Sequence, residues 1–540
     1  MKSMTWYIAA LLAAAVATGA FASIVQTQLI LGQLVDFGAP VTASVRFSTT
    51  LEDLARFGPV MAGIALAALL IAVPVGHLVL RAVSPAWPRV VFAVAAVGGL
   101  WLVFWLMRSV IPMPAIPGTR SQLGHVLMSL TGIAGGLLYA GLTSPARRSK
   151  RAANPGQPWR DAATAAALVI VPAVIFFAMA PAAGEKPAAV DPQSYEVQTV
   201  STGLNRPWSV AFLPDGRTLV TEMGGRLLAI AADGSSSEIA LDGLPPIFQQ
   251  RSIIGLMEVA LDPLFEQNSW LYLTMGYGET GASGTRLVRA RLAGDRIEDV
   301  RVLFSSTLKA RAGNNGGRIA FLRDGTLVLS LGDGSSRREE AQNPANHLGT
   351  VVRLDREGQP PADNPFLQQP GAAPEIYSLG HRNAQGIAVD PTKGDLLLTE
   401  HGARGGDEIN QIVAGGNYGW PVVTGGIDYP FARVTPFRRL DGYQEAVLEW
   451  TPSIAPAGLA VYDGALFPEW RGDLLVPALK ERAVRLVKRD GRRIVGQQLL
   501  LAELNERMRD VKVAPDGSIY ILTDGTDAKL LRLTPPAGNS

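Results

Sequence analysis

Between Glu375 and Val423 the chain reads EIYSLGHRNAQGIAVDPTKGDLLLTEHGARGGDEINQIVAGGNYGWPVV. A GHRN tetrad, an EHG turn, a GGDEIN run and a GGNYGWP turn share that block. Arg382 of the tetrad carries a planar, permanent cation suited to a carboxylate or to charge that builds during a reaction. Asn383 beside it offers a neutral amide. Further on, NERMRDVKVAPDG places Arg507 and Arg509 at alternate positions. Alternate residues of an extended segment share a face, so this pair can reach one anion together. Upstream, AGNNGGRIAF sets Asn314 ahead of Gly316, Gly317 and Arg318. An amide donates or accepts a hydrogen bond, but near neutral pH it does not take up a proton as imidazole does. Asp333, in SLGDGSSRREE, is a substitute candidate for that task.

Other chemistries lack their signatures. The glycine runs have no strand–GxGxxG–helix setting, no HExxH or Cys/His cluster marks zinc, and no GxSxG elbow presents a serine. The chain has no cysteine, which fits an exported domain, and five histidines. Its net charge of +2 gives no case for nucleic-acid binding.

These side chains need a rigid scaffold, and the sequence after Val197 repeats one unit. A Pro/Asp/Gly turn feeds a short apolar strand that ends in Thr, Ser or an acid. It appears as FLPDGRTLVTE, LDPLFEQNSWLYLT, FLRDGTLVLSLGD, VDPTKGDLLLTE, LFPEWRGDLLVP and VAPDGSIYILTD. Asp-Gly tolerates the turn geometry and the apolar run pairs into a sheet. Six copies at uneven spacing predict an all-β six-bladed β-propeller with loop insertions rather than an irregular sandwich.

The first third differs. Five segments near Trp6–Leu31, Val60–Val83, Val90–Leu106, Leu123–Leu142 and Ala162–Met179 are long and apolar enough to span a bilayer. They predict an all-α membrane domain over residues 1–184, a linker over 185–196 and the propeller over 197–537. The first segment exceeds a signal-peptide core in length and four more follow it. Arg147, Arg148, Lys150, Arg151 and Arg160 lie between the fourth and fifth segments and place that linker in the cytoplasm. An odd number of spans then puts the propeller outside, on the periplasmic face of a bacterial inner membrane.

Taken together, the GHRN, EHG, GGDEIN and GGNYGWP motifs resemble those of the glucose/sorbosone dehydrogenase family over roughly Val197 to Pro535. Members of that family are six-bladed propellers that bind pyrroloquinoline quinone (PQQ) and oxidise sugars at the anomeric carbon. The resemblance implies PQQ over the central channel, with Arg382 and Asn383 beside the quinone. It implies that Lys480, in LLVPALKERAV, together with Arg507 and Arg509, binds the cofactor, and that Trp450 lies near its rim. It also implies a calcium ion held by the carbonyls of Gly402 and Ala403, which suits the all-oxygen shell of calcium. Asp407 and Glu408 are expected to brace that loop, and GGNYGWP to form a structural turn. The substrate would be an aldose, and the electrons would pass to a respiratory quinone or cytochrome.

Two departures from the family pattern stand out. Asn314 occupies the place of the catalytic histidine, and Ile253 stands where the family commonly has glutamine. They keep a second reading open, that of a sugar- or PQQ-binding propeller without turnover. A third, a calcium-dependent lactonase-type hydrolase, shares the architecture but not the GHRN or GGDEIN motifs.

Overall fold

The computed structural model describes residues 2–82, 87–110, 116–144, 186–250 and 253–536. Each of the six turn–strand copies forms the hairpin between the first and second strands of a four-stranded antiparallel sheet. Blade 1 opens with Pro207–Phe212, blade 2 with Leu256–Leu261, blade 3 with Gly316–Phe321, blade 4 with Ala384–Val389, blade 5 with Ala460–Val461 and blade 6 with Met508–Val513. Glu196–Leu204 pairs antiparallel with Ala528–Thr534 and completes blade 6, so the start and end of the propeller close one sheet. Closure leaves the ring without a free first blade.

Second strands such as Thr218–Glu222, Leu327–Leu331, Leu396–Glu400 and Leu474–Ala478 are buried along their whole length. Each is covered on both faces by neighbouring blades, which explains continuous apolar runs in place of alternation. The polar residues in these strands link the ring. Thr274 donates to the Gly317 carbonyl of the next blade at 2.7 Å, and Thr399 to that of Ala457 at 2.9 Å.

The central channel is closed by buried charge. Arg318 Nη1 lies 2.9 Å from both Glu258 and Asp510, while its Nε donates to the Gln385 carbonyl at 2.7 Å. The guanidinium stacks 3.9 Å from the Trp208 ring, and Lys512 reaches Glu258 at 3.2 Å. Side chains from four blades and a backbone carbonyl from a fifth thus meet at this arginine.

The propeller unit spans Gly184–Gly426 and Phe437–Ser540. Val190 N donates to the Leu499 carbonyl and Leu499 N to the Ala188 carbonyl, which ties part of the expected linker to blade 5.

The helical unit comprises Met1–Ala183 and Ile427–Pro436. Its described helices are α1 (Lys2–Asp36), α2 (Ala43–Arg56), α3 (Gly58–Ala82), α4 (Pro88–Val110), α5 (Gln122–Leu130) and α6 (Gly132–Thr143). Four stretches, with α5 and α6 counted as one, are long and apolar enough to cross a membrane. The expected fifth span and the Arg147–Arg160 linker lie outside the described residues. Helix α2 was not anticipated. Its Asp53 accepts from Thr27 Oγ1 at 2.8 Å and from Arg433 N at 2.9 Å, and burial pushes its carboxyl up to about 6. Glycines 132, 135 and 136 sit so close to α1 and α4 that a Cβ would come within 2.0–2.8 Å of Ala14, Thr18, Phe92 or Ala96. Small residues at such crossings let membrane helices pack backbone to backbone.

Candidate active site

Asn314 sits just before the first strand of blade 3 with φ +41°, a left-handed conformation that asparagine tolerates better than most residues. Its Nδ2 donates to Asp333 Oδ1 at 2.8 Å. A carboxylate accepts, so the amide nitrogen faces Asp333 and the amide oxygen is turned away as an acceptor. Asp333 is buried and already engaged on both oxygens. Oδ1 also accepts from Ser335 N at 2.7 Å, and Oδ2 from the Trp420 indole at 2.8 Å. With three donors on it, Asp333 is a hub that orients its neighbours. Its backbone N–H donates to the Arg382 carbonyl at 2.9 Å, so blades 3 and 4 meet at this residue.

Arg382 is held from several sides. Its N–H donates to Glu400 Oε2 at 2.8 Å, its Nη1 to the His401 carbonyl at 3.2 Å, and its guanidinium lies 5.4 Å from the Trp420 ring. His381 braces Glu400 from below at 3.0 Å and stacks on Tyr418. His401 Nε2 donates to the Pro456 carbonyl at 2.7 Å. That tautomer leaves Nδ1 to face Asn383 Nδ2 at 3.5 Å, and burial lowers the imidazole below its ordinary range. A neutral His401 is therefore a structural link, with both nitrogens committed.

From Asn383 the contacts run on around the channel mouth. Its Oδ1 accepts from Gly316 N at 3.4 Å and from Gln385 Nε2 at 3.2 Å. Gln385 Oε1 meets Arg509 Nη1 at 3.5 Å, and Arg509 and Arg507 share Asp524 at 3.0 and 2.7 Å. Arg507 Nη1 reaches the Leu479 carbonyl at 3.3 Å, next to exposed Lys480. Arg382, Asn383, Arg509, Arg507 and Lys480 are thus strung along one rim from blade 4 to blade 6. Arg509 is buried, which lowers its affinity for a proton and raises the value of a bound anion there.

The loop holding Gly402 and Ala403 is fixed by Asp407. This buried carboxylate accepts from Gly402 N and, on its other oxygen, from Ser453 Oγ, Ile454 N and Ala455 N, all at 2.7–2.9 Å. A Cβ at position 402 would lie 2.0 Å from the Gly405 carbonyl, so the turn needs glycine. Glu408 stands directly across the strand pair from Glu449. Burial and the charges of Glu400, Glu449 and Asp407 raise its carboxyl well above the usual range.

Trp450 lies outside the run of contacts along the rim. It ends the outermost strand of blade 4 (Leu448–Trp450), and its ring packs with Ile409, Leu474 and Val476 between blades 4 and 5. Its indole donates to Gln497 at 2.8 Å. Across the strand pair it stands opposite Asp407, which fixes the Gly402–Ala403 loop. Trp420, in a turn expected to be structural, is an aromatic found against both Arg382 and Asp333. Asn417 and Tyr418 of that turn do serve packing, through Gln342 and His381. Ile253 presents no amide, and its carbonyl accepts from Asn315 Nδ2 at 2.8 Å. Gln249 is committed to the Gly224 carbonyl at 2.9 Å. Lys309, which the motifs do not mark, lies under the Asn314 turn with Nζ 2.9 Å from the Gly313 carbonyl and 3.0 Å from that of Asn314.

A six-bladed ring with cations gathered on one rim defines a class, and comparison with known proteins gives the family. Residues 204–532 match the family model described as glucose/sorbosone dehydrogenase, and the chain belongs to that family of sugar-oxidising oxidoreductases. It is similar to the aldose sugar dehydrogenase YliI of Escherichia coli, at 36% identity over 351 residues, covering 64% of this chain and 94% of that one. The crystal structure of the soluble aldose sugar dehydrogenase from E. coli in the apo form superposes with a TM-score of 0.61 over 63% of this chain and 99% of that one. The PQQ-bound form of the aldose sugar dehydrogenase from Streptomyces coelicolor is 26% identical, with a TM-score of 0.51 over 64% of this chain and 99% of that one.

Proposed function

We propose that the protein is a membrane-anchored, PQQ-dependent aldose dehydrogenase acting at the anomeric carbon. The observation that carries this reading is the rim of Arg382, Arg509, Arg507 and Lys480 ending at Asn314 and Asp333. A flat tri-carboxylate quinone needs several fixed cations around one opening, and arginine meets carboxylates in pairs of hydrogen bonds. When bound, PQQ supplies the two-electron acceptor for the C1 hydride. Arg382 stabilises the negative charge that arises beside it, and Asn383 with Gln385 sets the spacing between Arg382 and Arg509. The carbonyls of Gly402 and Ala403 are the candidate calcium ligands, on a loop that Asp407 keeps rigid. Asn314 receives the anomeric hydroxyl with its amide oxygen but does not retain the proton.

The four cations give a graded test. Replacing Arg382 or Arg509 by alanine is expected to weaken PQQ binding by about 1.5–3 kcal/mol, the worth of a charge-assisted hydrogen bond at a buried site. Lys480→Ala and Arg507→Ala should cost less, because water screens exposed charges. Equal affinity for all four variants and the parent in a titration would contradict this cofactor placement.

Propeller export follows from the positive charges near Arg147. Protease added to intact spheroplasts should release the propeller while sparing residues 147–160. A protected propeller would reverse the assignment. Electrons would then pass to a respiratory quinone or cytochrome at the same membrane.

A second reading rests on Asn314 and Ile253, the two departures on the substrate side. It makes the protein a binding propeller without turnover. Bound PQQ that no aldose reduces, at any pH, would favour it.

A further inference from the structure

The proposed oxidation has to release the anomeric proton, and neither Asn314 nor the fully engaged Asp333 is suited to take it. The groups around the Asn314 turn include one more candidate. Lys309 is pinned by reciprocal backbone hydrogen bonds with Ser283 at 2.9 and 3.0 Å. Its side chain runs back beneath Gly334, where a Cβ would lie 2.7 Å from Lys309 Cδ, so glycine leaves room for it. The residue is 5% exposed, and Nζ ends on the carbonyls of Gly313 and Asn314.

Resting on the dehydrogenase reading, we propose that Lys309 is the proton acceptor for the anomeric hydroxyl, directly or across one water, in place of the missing imidazole. Two carbonyl acceptors take two of its N–H groups and leave the third position on nitrogen to face a hydroxyl or a water. Among the described residues no carboxylate lies within ion-pair distance of Nζ. Burial brings the ammonium down to about 7, opposed by the charge of Asp333, the titratable group that faces it. A base poised near the working pH is the efficient kind. In the step, the anomeric O–H bond breaks and its proton moves to Nζ. The C1–H electron pair leaves as hydride to the bound quinone, and C1–O becomes the carbonyl of a lactone. The resulting ammonium returns the proton to solvent.

Two measurements on the full-length protein decide this. Competitive acylation of lysines, read by mass spectrometry across pH without cofactor, is expected to give Lys309 a midpoint near 7. A midpoint near the ordinary lysine value of 10.5 would overturn the proposal. With PQQ and calcium added, the rate of cofactor reduction by glucose should rise through about pH 7. Lys309→Arg keeps the donors to both carbonyls but cannot act as a base near neutrality. It should abolish that rise and slow reduction about tenfold or more at pH 8. Adding Asn314→His to Lys309→Arg should restore the rate. An unchanged pH profile in Lys309→Arg would overturn the assignment, as would PQQ that binds but is never reduced. Failure to bind PQQ at all would instead remove the dehydrogenase reading, and the acylation midpoint would still judge Lys309.

Discussion

Asn314→His is expected to raise the rate of aldose oxidation by about 10²–10⁴-fold below pH 7, the usual contribution of general-base assistance. The site is prepared for the change. Histidine is among the residues that tolerate the left-handed backbone found at Asn314 (φ +41°), and Asp333 lies 2.8 Å away to hold an imidazole N–H as it now holds the amide. Gly316 and Gly317 keep the positive φ values the following turn requires. Above pH 7 the gain should narrow, because Lys309 is then largely neutral and already able to accept the proton. Stopped-flow reduction of the bound cofactor at pH 6 and pH 8 checks both statements. Equal rates for parent and variant at pH 6 would mean that position 314 does not face the reacting hydroxyl.

The second large effect is structural. Arg318 is 2% exposed and is the shared partner of Glu258 and Asp510, themselves about 1% exposed. Arg318→Ala leaves two buried carboxylates with only Lys512 to oppose them, and breaking such a cluster by removing one member costs about 3–5 kcal/mol. In a calorimetric scan the propeller transition should fall by several degrees, at or below the roughly 2–4 °C per kcal/mol of a domain of 150–250 residues. PQQ binding should weaken with it, because the Arg318 side chain also donates to the Gln385 and Arg509 carbonyls. A transition within about a degree of the parent would show that the channel charges are not what holds the ring.

Much of this architecture is written locally in the chain. All six hairpins between first and second strands are visible as Asp-, Gly- or Pro-bearing turns before apolar runs, since turn chemistry and strand burial act over neighbouring residues. The apolar spans are legible for the same reason. Contacts made across the ring are not. Trp420 meets Asp333 from 87 residues away, and no local pattern separates an indole that faces a site from one that fills a turn. The packing of Trp450 between blades 4 and 5 is equally silent, because the sequence does not print a strand's rank within its blade. Lys309 carries no motif at all, and only the path of its side chain beneath Gly334 marks it. Ile427–Pro436 lies between the third and fourth strands of blade 4, yet it clusters with the helices through Arg433 and Asp53. Alternation and hydropathy give no sign of that attachment.

The central claim is that the rim between blades 3 and 6 is a PQQ site that oxidises sugars. Its most direct test is a titration of the full-length protein with PQQ in the presence of calcium, followed by a panel of aldoses, with the absorption spectrum recorded throughout. Saturable one-to-one binding is expected, weakened in Arg382→Ala and Arg509→Ala, with a spectral change to the reduced cofactor on adding an aldose at pH 8. No saturable binding, or binding indifferent to both arginines, would contradict it.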